Sequence, residues 1–162
     1  MSATPEQLFL RFDELGIAHI THHHDPVFTV EEAQTVSRKL EGGHSKNLFL
    51  KDKNGDLYLL VALEDTKVDL KSLRKTIGAK NLSFGKADLL IETLGIEPGS
   101  VTPFSLINDK THKVHVLLDS LMMKEELLNF HPLINDKTTQ ISSRDLLRFI
   151  EACGQTSTIV SL

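Results

Sequence analysis

The chain has 162 residues, of which 40% are hydrophobic, and it carries a formal net charge of -4 at pH 7. That length and apolar content predict one domain with its own core, spanning residues 1–162. The sequence pI is about 6.0 and aromatic residues make up only 6% of the chain, with no tryptophan. This composition argues against general attraction to nucleic acid and against a base-stacking platform, so any contact with RNA must be local.

Membrane and secretory signals are missing from the sequence pattern. No apolar stretch approaches the roughly 20 residues that span a bilayer, and charged residues interrupt the amino-terminal segment where a signal peptide would be apolar. The one cysteine, Cys153, allows neither an internal disulfide nor a zinc site built from cysteines. We therefore expect a soluble, cytoplasmic protein without a membrane partner.

The amino-terminal part predicts a helix, a strand and a second helix. Residues 4–16 contain an N-cap threonine, a proline at the first helical position and a terminal glycine, which is typical of an amphipathic helix. The segment IAHITH then reads as a short strand. Thr29 and Glu32 form a capping box that begins a second helix, and this helix ends at a glycine pair.

Two apolar runs around Asn54 and Gly55 predict a β-hairpin, with Lys46 at the start of its first strand. Residues 68–79 and 86–95 then predict two short helices closed by glycine, with NLSFG as a short strand or turn between them. Strands are predicted at residues 101–109, 112–120, 126–133 and 138–142, and a last helix at residues 142–154. This order predicts a mixed α/β class, with a mixed, largely antiparallel sheet flanked by helices.

Several familiar kinds of site are disfavoured. The ligand-competent cluster His22, His23, His24 and Asp25 lies in a strand, where adjacent side chains point to opposite faces, and no helical ligand pair accompanies it. Cys153 lies at the carboxyl end of a helix, where the dipole raises the pKa of a thiol, so we assign it to the core. No serine-hydrolase elbow, Walker sequence or dinucleotide motif is present. We expect no metal and no cofactor.

Two other short segments contain residues suited to chemistry. Gly99 and Ser100 allow a tight turn whose backbone N–H groups can converge on an anion or a carbonyl oxygen, and Pro103 would stiffen its exit. His131 precedes a proline, which favours extended backbone at the end of a strand. Each feature also has an ordinary structural interpretation, as does Lys46, because lysines are mostly exposed and often flank strands.

Taken together, PVFTVEEA, GGHSKNLFLKD, LVALED, LSFG, PGSVTPFSLIND and NFHPLIND resemble the prolyl-tRNA editing superfamily, the YbaK and ProX-like group of free-standing aminoacyl-tRNA deacylases. The blocks follow the family's order and cover roughly residues 5 to 154. The resemblance is closest to the ProX branch, which is similar to the insertion editing domain of bacterial prolyl-tRNA synthetases. It implies the fold of this superfamily and hydrolysis of mischarged tRNA for proline, with alanine the usual amino acid removed.

The resemblance also implies the site residues. The matches are Lys46 with the family's key lysine, Asn47 with its neighbour, Gly99, Ser100, Val101, Thr102 and Pro103 with a G-x-x-x-P loop, and His131 with a late histidine. Lys46, His131 and the backbone of Gly99 are the implied catalytic groups, without a metal or a covalent nucleophile. The expected wall of a small alanine pocket consists of Thr29, Val30 and Ala33, and Asn135 is a further expected substrate contact.

Two other functions stay open at this point. One keeps the fold and removes cysteine, serine or threonine from tRNA. The other is a non-catalytic module that binds a tRNA end or a synthetase, although the presence of the lysine, the loop and the histidine favours an enzyme. The expected partner is the acceptor end of a mischarged tRNA, with prolyl-tRNA synthetase as a second candidate, and the candidate phosphate contacts are Lys39, Lys46, Lys51 and Lys53.

Overall fold

The computed structural model describes residues 2–29, 31–32, 35 and 40–162. In this part of the chain the α-helices are α1 (Pro5–Leu15), α2 (Leu70–Ile77), α3 (Ala87–Leu94) and α4 (Ser143–Ala152). The strands are β1 (Ile20–His23), β2 (Gly43–Lys51), β3 (Leu57–Leu63), β4 (Ser83–Phe84), β5 (Val114–Asp119), β6 (Leu127–Phe130), β7 (Lys137–Ser142) and β8 (Ser157–Val160). Short 3₁₀ helices span Pro98–Ser100, Pro103–Asn108 and Met122–Lys124.

The strands form one mixed sheet in the order β1-β7-β6-β2-β3-β5-β8, with β4 paired to β2 beside this path. Four of the pairings are antiparallel, β1 with β7, β2 with β3, β2 with β4 and β6 with β7. Three are parallel, β2 with β6, β3 with β5 and β5 with β8. The predicted mixed α/β class, with a mixed sheet and flanking helices, is confirmed.

Helices cover both faces of the sheet, because alternate residues of β3 enter two separate apolar clusters. Leu59 and Val61 belong to the larger cluster, which also contains core residues of α1, α3 and α4. Leu60 points the other way and joins the smaller cluster, where Leu73 of α2 is buried. This alternation follows from the two-residue period of a strand, and it places α2 on the face opposite the other helices.

Aromatic rings fill the larger cluster. Phe104 is fully buried. The centroid of its ring lies 5.0 Å from that of Phe12, 5.4 Å from that of Phe130 and 5.6 Å from that of Phe149, each pair in edge-to-face geometry. Such pairs add to the stability provided by apolar burial. The amino-terminal helix, the last helix and the middle of the chain therefore share one packed core.

The hairpin prediction is confirmed, although its loop is longer than a two-residue turn. β2 and β3 pair from Ser45 opposite Leu63 to Lys51 opposite Leu57, which leaves residues 52–56 in the loop. The carboxylate of Asp52 accepts hydrogen bonds from the backbone N–H groups of Asn54 and Asp56, both at 2.9 Å. This side chain satisfies the loop backbone in place of further strand pairing.

The strand predicted at residues 101–109 was wrong. Thr102 caps the 3₁₀ helix Pro103–Asn108 by accepting a hydrogen bond from the backbone N–H of Phe104 at 3.3 Å. Proline fits the first position of such a helix because the N–H it lacks has no partner there. A threonine cap followed by proline therefore overrode the strand propensity of this segment. Strand β8, which follows the last predicted helix, was not predicted.

The capping box at the second predicted helix forms, since the backbone N–H of Glu32 donates to Thr29 Oγ1 at 3.1 Å. Residues 31, 32 and 35 are helical, and the rest of that predicted helix lies largely outside the described residues. None of the helices in the described part of the chain is long and apolar enough to cross a membrane.

Candidate functional site

Lys46 lies in the central strand β2, on the face that carries Leu48 and Leu50 toward α2. Its side chain is half-buried, and its Nζ donates a hydrogen bond to the backbone carbonyl of Thr66. If the ammonium group were fully exposed, water would solvate it and no protein acceptor would be needed. The ammonium group is therefore held at a defined point, in the turn that follows β3.

A glycine pair lets β2 approach β6 closely just before Lys46. Gly42 has a φ of +93°, and a Cβ there would lie 2.9 Å from the carbonyl oxygen of Leu127. A Cβ at Gly43 would lie 3.0 Å from a methyl carbon of Leu63 and 3.1 Å from one of Leu128. The contact at Gly42 is with backbone and its φ is positive, so a larger residue there would disturb the approach to β6, whereas at Gly43 neighbouring leucine side chains would have to move.

His131 follows the last residue of β6, the strand that pairs with β2 in parallel. The parallel pairing of these strands sets Gly43 opposite Leu128 and His44 opposite Asn129, so it ends two residues before Lys46 and two residues before His131. In the described part of the chain each of the two side chains has its own hydrogen-bond partner, Thr66 for Lys46 and Lys137 for His131.

The hydrogen bonding of His131 defines its chemical state. Its Nδ1 lies 3.0 Å from the carbonyl oxygen of Lys137, and because a carbonyl can only accept, Nδ1 carries a proton. Burial lowers the pKa of His131 below 6.5; the hydrogen bond to Lys137 opposes this shift, and the nearby His24, whose ring lies 6.2 Å away, adds to it. At neutral pH the ring is neutral, and its Nε2 carries the lone pair that can accept a proton.

Asn47 does not share the face of Lys46. It lies one residue further along β2, on the side of Ser45 and Phe49, and its Nδ2 donates to Ser45 Oγ at 3.3 Å. Its Oδ1 is buried and has no hydrogen-bond partner among the described residues. Consecutive strand residues point to opposite faces, so the side chains of Lys46 and Asn47 do not meet on one side of the sheet.

Gly99, Ser100 and Asn135 line one pocket, with a volume of about 530 Å³, and the exposed side chain of Phe28 also lines it. The Nδ2 of Asn135 donates to the carbonyl of Val27 at 3.1 Å, which ties the segment before the Thr29 cap to the loop after His131. A Cβ on Gly99 would point toward Asn135, 3.6 Å from its Nδ2. The pocket therefore combines three of the predicted residues.

The G-x-x-x-P loop is buried at its second, fourth and fifth residues. The backbone N–H of Ser100 donates to the carbonyl of Glu97 at 2.9 Å, so it is committed within the 3₁₀ turn. Thr102 and Pro103 are buried, and the Thr102 carbonyl accepts a hydrogen bond from Ser105 Oγ at 2.5 Å. The candidate backbone donors for a substrate in this loop are therefore the N–H groups of Gly99 and Val101.

Only part of the predicted pocket wall lies within the described residues. Thr29 is exposed and caps the helix, whereas Val30 and Ala33 lie outside the described residues, as does Lys39. Lys51 lies at the hairpin end of β2, five residues from Lys46, which is about 17 Å along an extended strand. Lys53 is further still, within the hairpin loop, so neither belongs to the Lys46 region.

The histidines before Asp25 do not converge on one point. His22 and His23 pair with successive residues of β7, and His24 Nε2 lies 2.8 Å from Thr138 Oγ1. In the part of the chain that the structure describes, no three His, Cys, Asp or Glu side chains lie close enough to share a metal ion. Burial raises the pKa of Cys153 to about 12, so its thiol stays protonated and non-nucleophilic near neutral pH.

Three residues near the site had not been predicted, namely His24, Thr66 and Asp119. His24 lies against His131, and Thr66 accepts the Lys46 hydrogen bond while also contacting Asp119. The one sequence signal for Asp119 was its position at the end of the apolar run VHVLLD, since a carboxylate that closes a buried strand needs a structural or chemical partner.

Comparisons with known proteins show which family this chain resembles. The family model described as "Aminoacyl-tRNA editing domain" matches residues 24–149. The chain is 36% identical to the prolyl-tRNA editing protein ProX of Acetoanaerobium sticklandii, over 97% of this chain and 96% of that protein. It is 37% identical to the mouse (Mus musculus) prolyl-tRNA synthetase associated domain-containing protein 1, over 96% of this chain and 94% of that protein.

Solved structures show the same fold at lower identity. A crystal structure described as that of a candidate trans-editing enzyme for prolyl-tRNA synthetase matches with a TM-score of 0.72 at 17% identity. The match covers 100% of this chain and 99% of the other. At that identity the likeness concerns the fold alone.

Proposed function

The chain belongs to the aminoacyl-tRNA editing domain family, and from this premise we propose that it hydrolyses the aminoacyl ester of mischarged tRNA for proline, with alanine as the amino acid removed. The observation that carries the proposal is that Lys46 presents an ammonium group held by a backbone carbonyl and His131 a half-buried imidazole whose Nδ1 is hydrogen-bonded. Lys46 lies in β2, and His131 directly follows β6, which pairs with β2 in parallel. Such a pair suits ester hydrolysis by water.

The chemistry requires attack of a water oxygen on the ester carbonyl and departure of the ribose oxygen with a proton. The positive charge of Lys46 holds either the carbonyl oxygen or the terminal phosphate of the tRNA. His131 positions the attacking water through Nε2, or contacts the aminoacyl group. An aminoacyl ester is already labile, so positioning and charge suffice, and the tRNA's own 2'-hydroxyl can assist.

The pocket of Gly99 and Asn135 is the second part of the proposed site. The N–H groups of Gly99 and Val101 would donate to the oxyanion that develops during attack. The loop 131–136 contains both His131 and Asn135, so one segment joins the imidazole to this pocket. A substrate that spans the two regions would contact residues from both ends of one loop.

Selection of alanine over proline is proposed to act by size. A pocket that favours the larger molecule discriminates weakly, whereas a pocket that excludes it sterically discriminates strongly. Thr29, Val30 and Ala33 remain the proposed wall. We further propose a cytoplasmic location, a single editing domain over residues 1–162, the acceptor end of tRNA as the ligand, and prolyl-tRNA synthetase as a second partner.

The proposed function is tested by mixing purified protein, below the concentration of tRNA, with the same tRNA for proline charged with alanine, proline, cysteine or serine. We expect multiple turnovers of the alanyl ester and little loss of the prolyl ester. Faster loss of the cysteinyl or seryl ester would identify a different editing specificity. Lack of turnover of all four would leave a binding module as the remaining function.

Substitution of Gly99 by valine tests the second part of the site. The new side chain would point at Asn135, so it would fill the pocket without a backbone clash. We expect deacylation to fall at least about tenfold, with a thermal midpoint within a few degrees of the parent protein, because Gly99 is exposed. Gly55→Val in the hairpin loop is a control for stability alone, and unaltered turnover in Gly99→Val would remove this loop from the mechanism.

A further inference from the structure

The turn that follows β3 holds the Lys46 ammonium group. In this turn the backbone N–H of Thr66 donates to the carbonyl of Leu63 at 3.0 Å, and the Thr66 carbonyl accepts from Lys46 Nζ. The position of the ammonium group therefore depends on the position of one backbone carbonyl. A loop carbonyl is a reliable anchor only when the loop itself is fixed.

Asp119 fixes that turn at both ends. Its carboxylate is fully buried, and Oδ2 accepts a hydrogen bond from the backbone N–H of Leu63 at 3.1 Å and another from Thr66 Oγ1 at 2.8 Å. The second oxygen, Oδ1, accepts from the backbone N–H of Leu121 at 3.0 Å. Both oxygens are thus engaged, and the last residue of β5 is joined to the first and last residues of the turn.

A buried carboxylate is expensive unless it is compensated, and Asp119 has no ion pair with a described Lys, Arg or His. Asp52 and Asp109 also hold turns with backbone hydrogen bonds, so closing a turn does not by itself set Asp119 apart. The difference is Thr66, whose hydroxyl donates to the carboxylate while its carbonyl accepts from a lysine ammonium. Thr66 therefore links the carboxylate of Asp119 to the ammonium group of Lys46.

We propose that Asp119, acting through Thr66, is a positioning residue for Lys46. A lysine head on its flexible stem loses rotamer freedom when it is fixed, and a fixed charge acts on a reacting ester without reorganising during the reaction. The carboxylate orients the turn, the turn carbonyl orients the ammonium, and the ammonium faces the substrate. The catalytic part of this inference rests on the function proposed above, whereas the structural link between the three residues does not.

Thr66→Val tests the link, because it removes the hydroxyl that reaches Asp119 and keeps the size and branching of the side chain. We expect kcat for the alanyl ester to fall about tenfold with KM within twofold. Thr66→Ser retains the hydroxyl and should stay within about threefold of the parent kcat. Asp109→Asn is the matched control, since it weakens a buried turn distant in sequence from Lys46; it should lower thermal stability and leave kcat within twofold.

A measurement that does not depend on activity separates this inference from the proposed function. In ¹H–¹⁵N spectra of the lysine ammonium groups at low temperature and mildly acidic pH, a hydrogen-bonded ammonium exchanges slowly enough to be seen. The Lys46 signal, assigned by its loss in Lys46→Arg, should be present in the parent, Thr66→Ser and Asp109→Asn proteins and broadened or lost in Thr66→Val. Thermal unfolding of Thr66→Val establishes that it is folded, and Thr66→Ala replaces it if it is not.

An unchanged Lys46 signal in folded Thr66→Val would overturn the inference, whether or not the protein deacylates any tRNA. A changed signal with unchanged kcat would show that the link exists and that fixing Lys46 does not assist the reaction, which overturns the catalytic part. A parent protein that shows the signal but turns over no charged tRNA would refute the proposed function alone.

Discussion

Replacing Lys46 by methionine should lower the rate constant for alanyl-tRNA deacylation, measured at saturating protein, by at least about 100-fold. Removing one preorganised group that stabilises developing charge has effects of this size in other hydrolases. Methionine keeps an apolar stem of similar length, so the packing of the half-buried side chain changes little. Since the ammonium is only partly shielded from water, we expect the free energy of unfolding to fall by no more than about 1 kcal/mol.

The matched control is Lys51→Met, which changes the same residue type in the same strand at its hairpin end. Its deacylation rate should stay within about twofold of the parent protein. Denaturant unfolding of all three proteins gives the stability change on the same samples. A Lys46→Met protein that is much less stable but deacylates at the parent rate would return Lys46 to a purely structural role.

Local sequence signals predicted the pieces of this fold well. Asn54 and Gly55 marked the hairpin, and the capping threonine and terminal glycine marked α1. These features depend on a few neighbouring residues whose backbone preferences act over short distances. Local signals of this kind also predicted that Lys46 lies in a strand and that Gly99 lies in a turn.

The arrangement of those pieces depended on contacts that no local pattern reports. The parallel pairing of β2 with β6 joins the strand that contains Lys46 to the strand that ends just before His131, although 85 positions separate the two residues in the sequence. Strand register is set by the packing of a whole face, so this pairing of strands could not be predicted from the spacing of the two residues. Asp119 and Thr66 were missed for the same reason, since their roles come from a turn and a strand that meet only in the folded chain.

His131→Asn is expected to lower the deacylation rate constant by about 100-fold, because asparagine can still donate from its amide to the Lys137 carbonyl but has no group in the place of Nε2. Loss of a group that accepts or positions a proton typically has effects of 100-fold or more. The control is His23→Asn, which alters an exposed histidine of β1 and should leave the rate within twofold. A rate in His131→Asn equal to that of the parent would exclude Nε2 from the reaction.

The pH dependence gives an independent view of the same histidine. Burial lowers the pKa of His131 below 6.5, so the ring stays neutral in the folded protein at pH values where it is partly protonated in the unfolded chain. Between those two pKa values the unfolded state binds more protons at this residue, so the contribution of His131 to the free energy of unfolding falls as the pH drops below about 6.5. In His131→Asn this part of the stability loss should disappear.

If Nε2 must be unprotonated for deacylation, the acid limb of the parent rate profile, corrected for hydrolysis without protein, should have its midpoint below 6.5. A midpoint above 6.5 would show that a group other than the buried His131 controls the reaction.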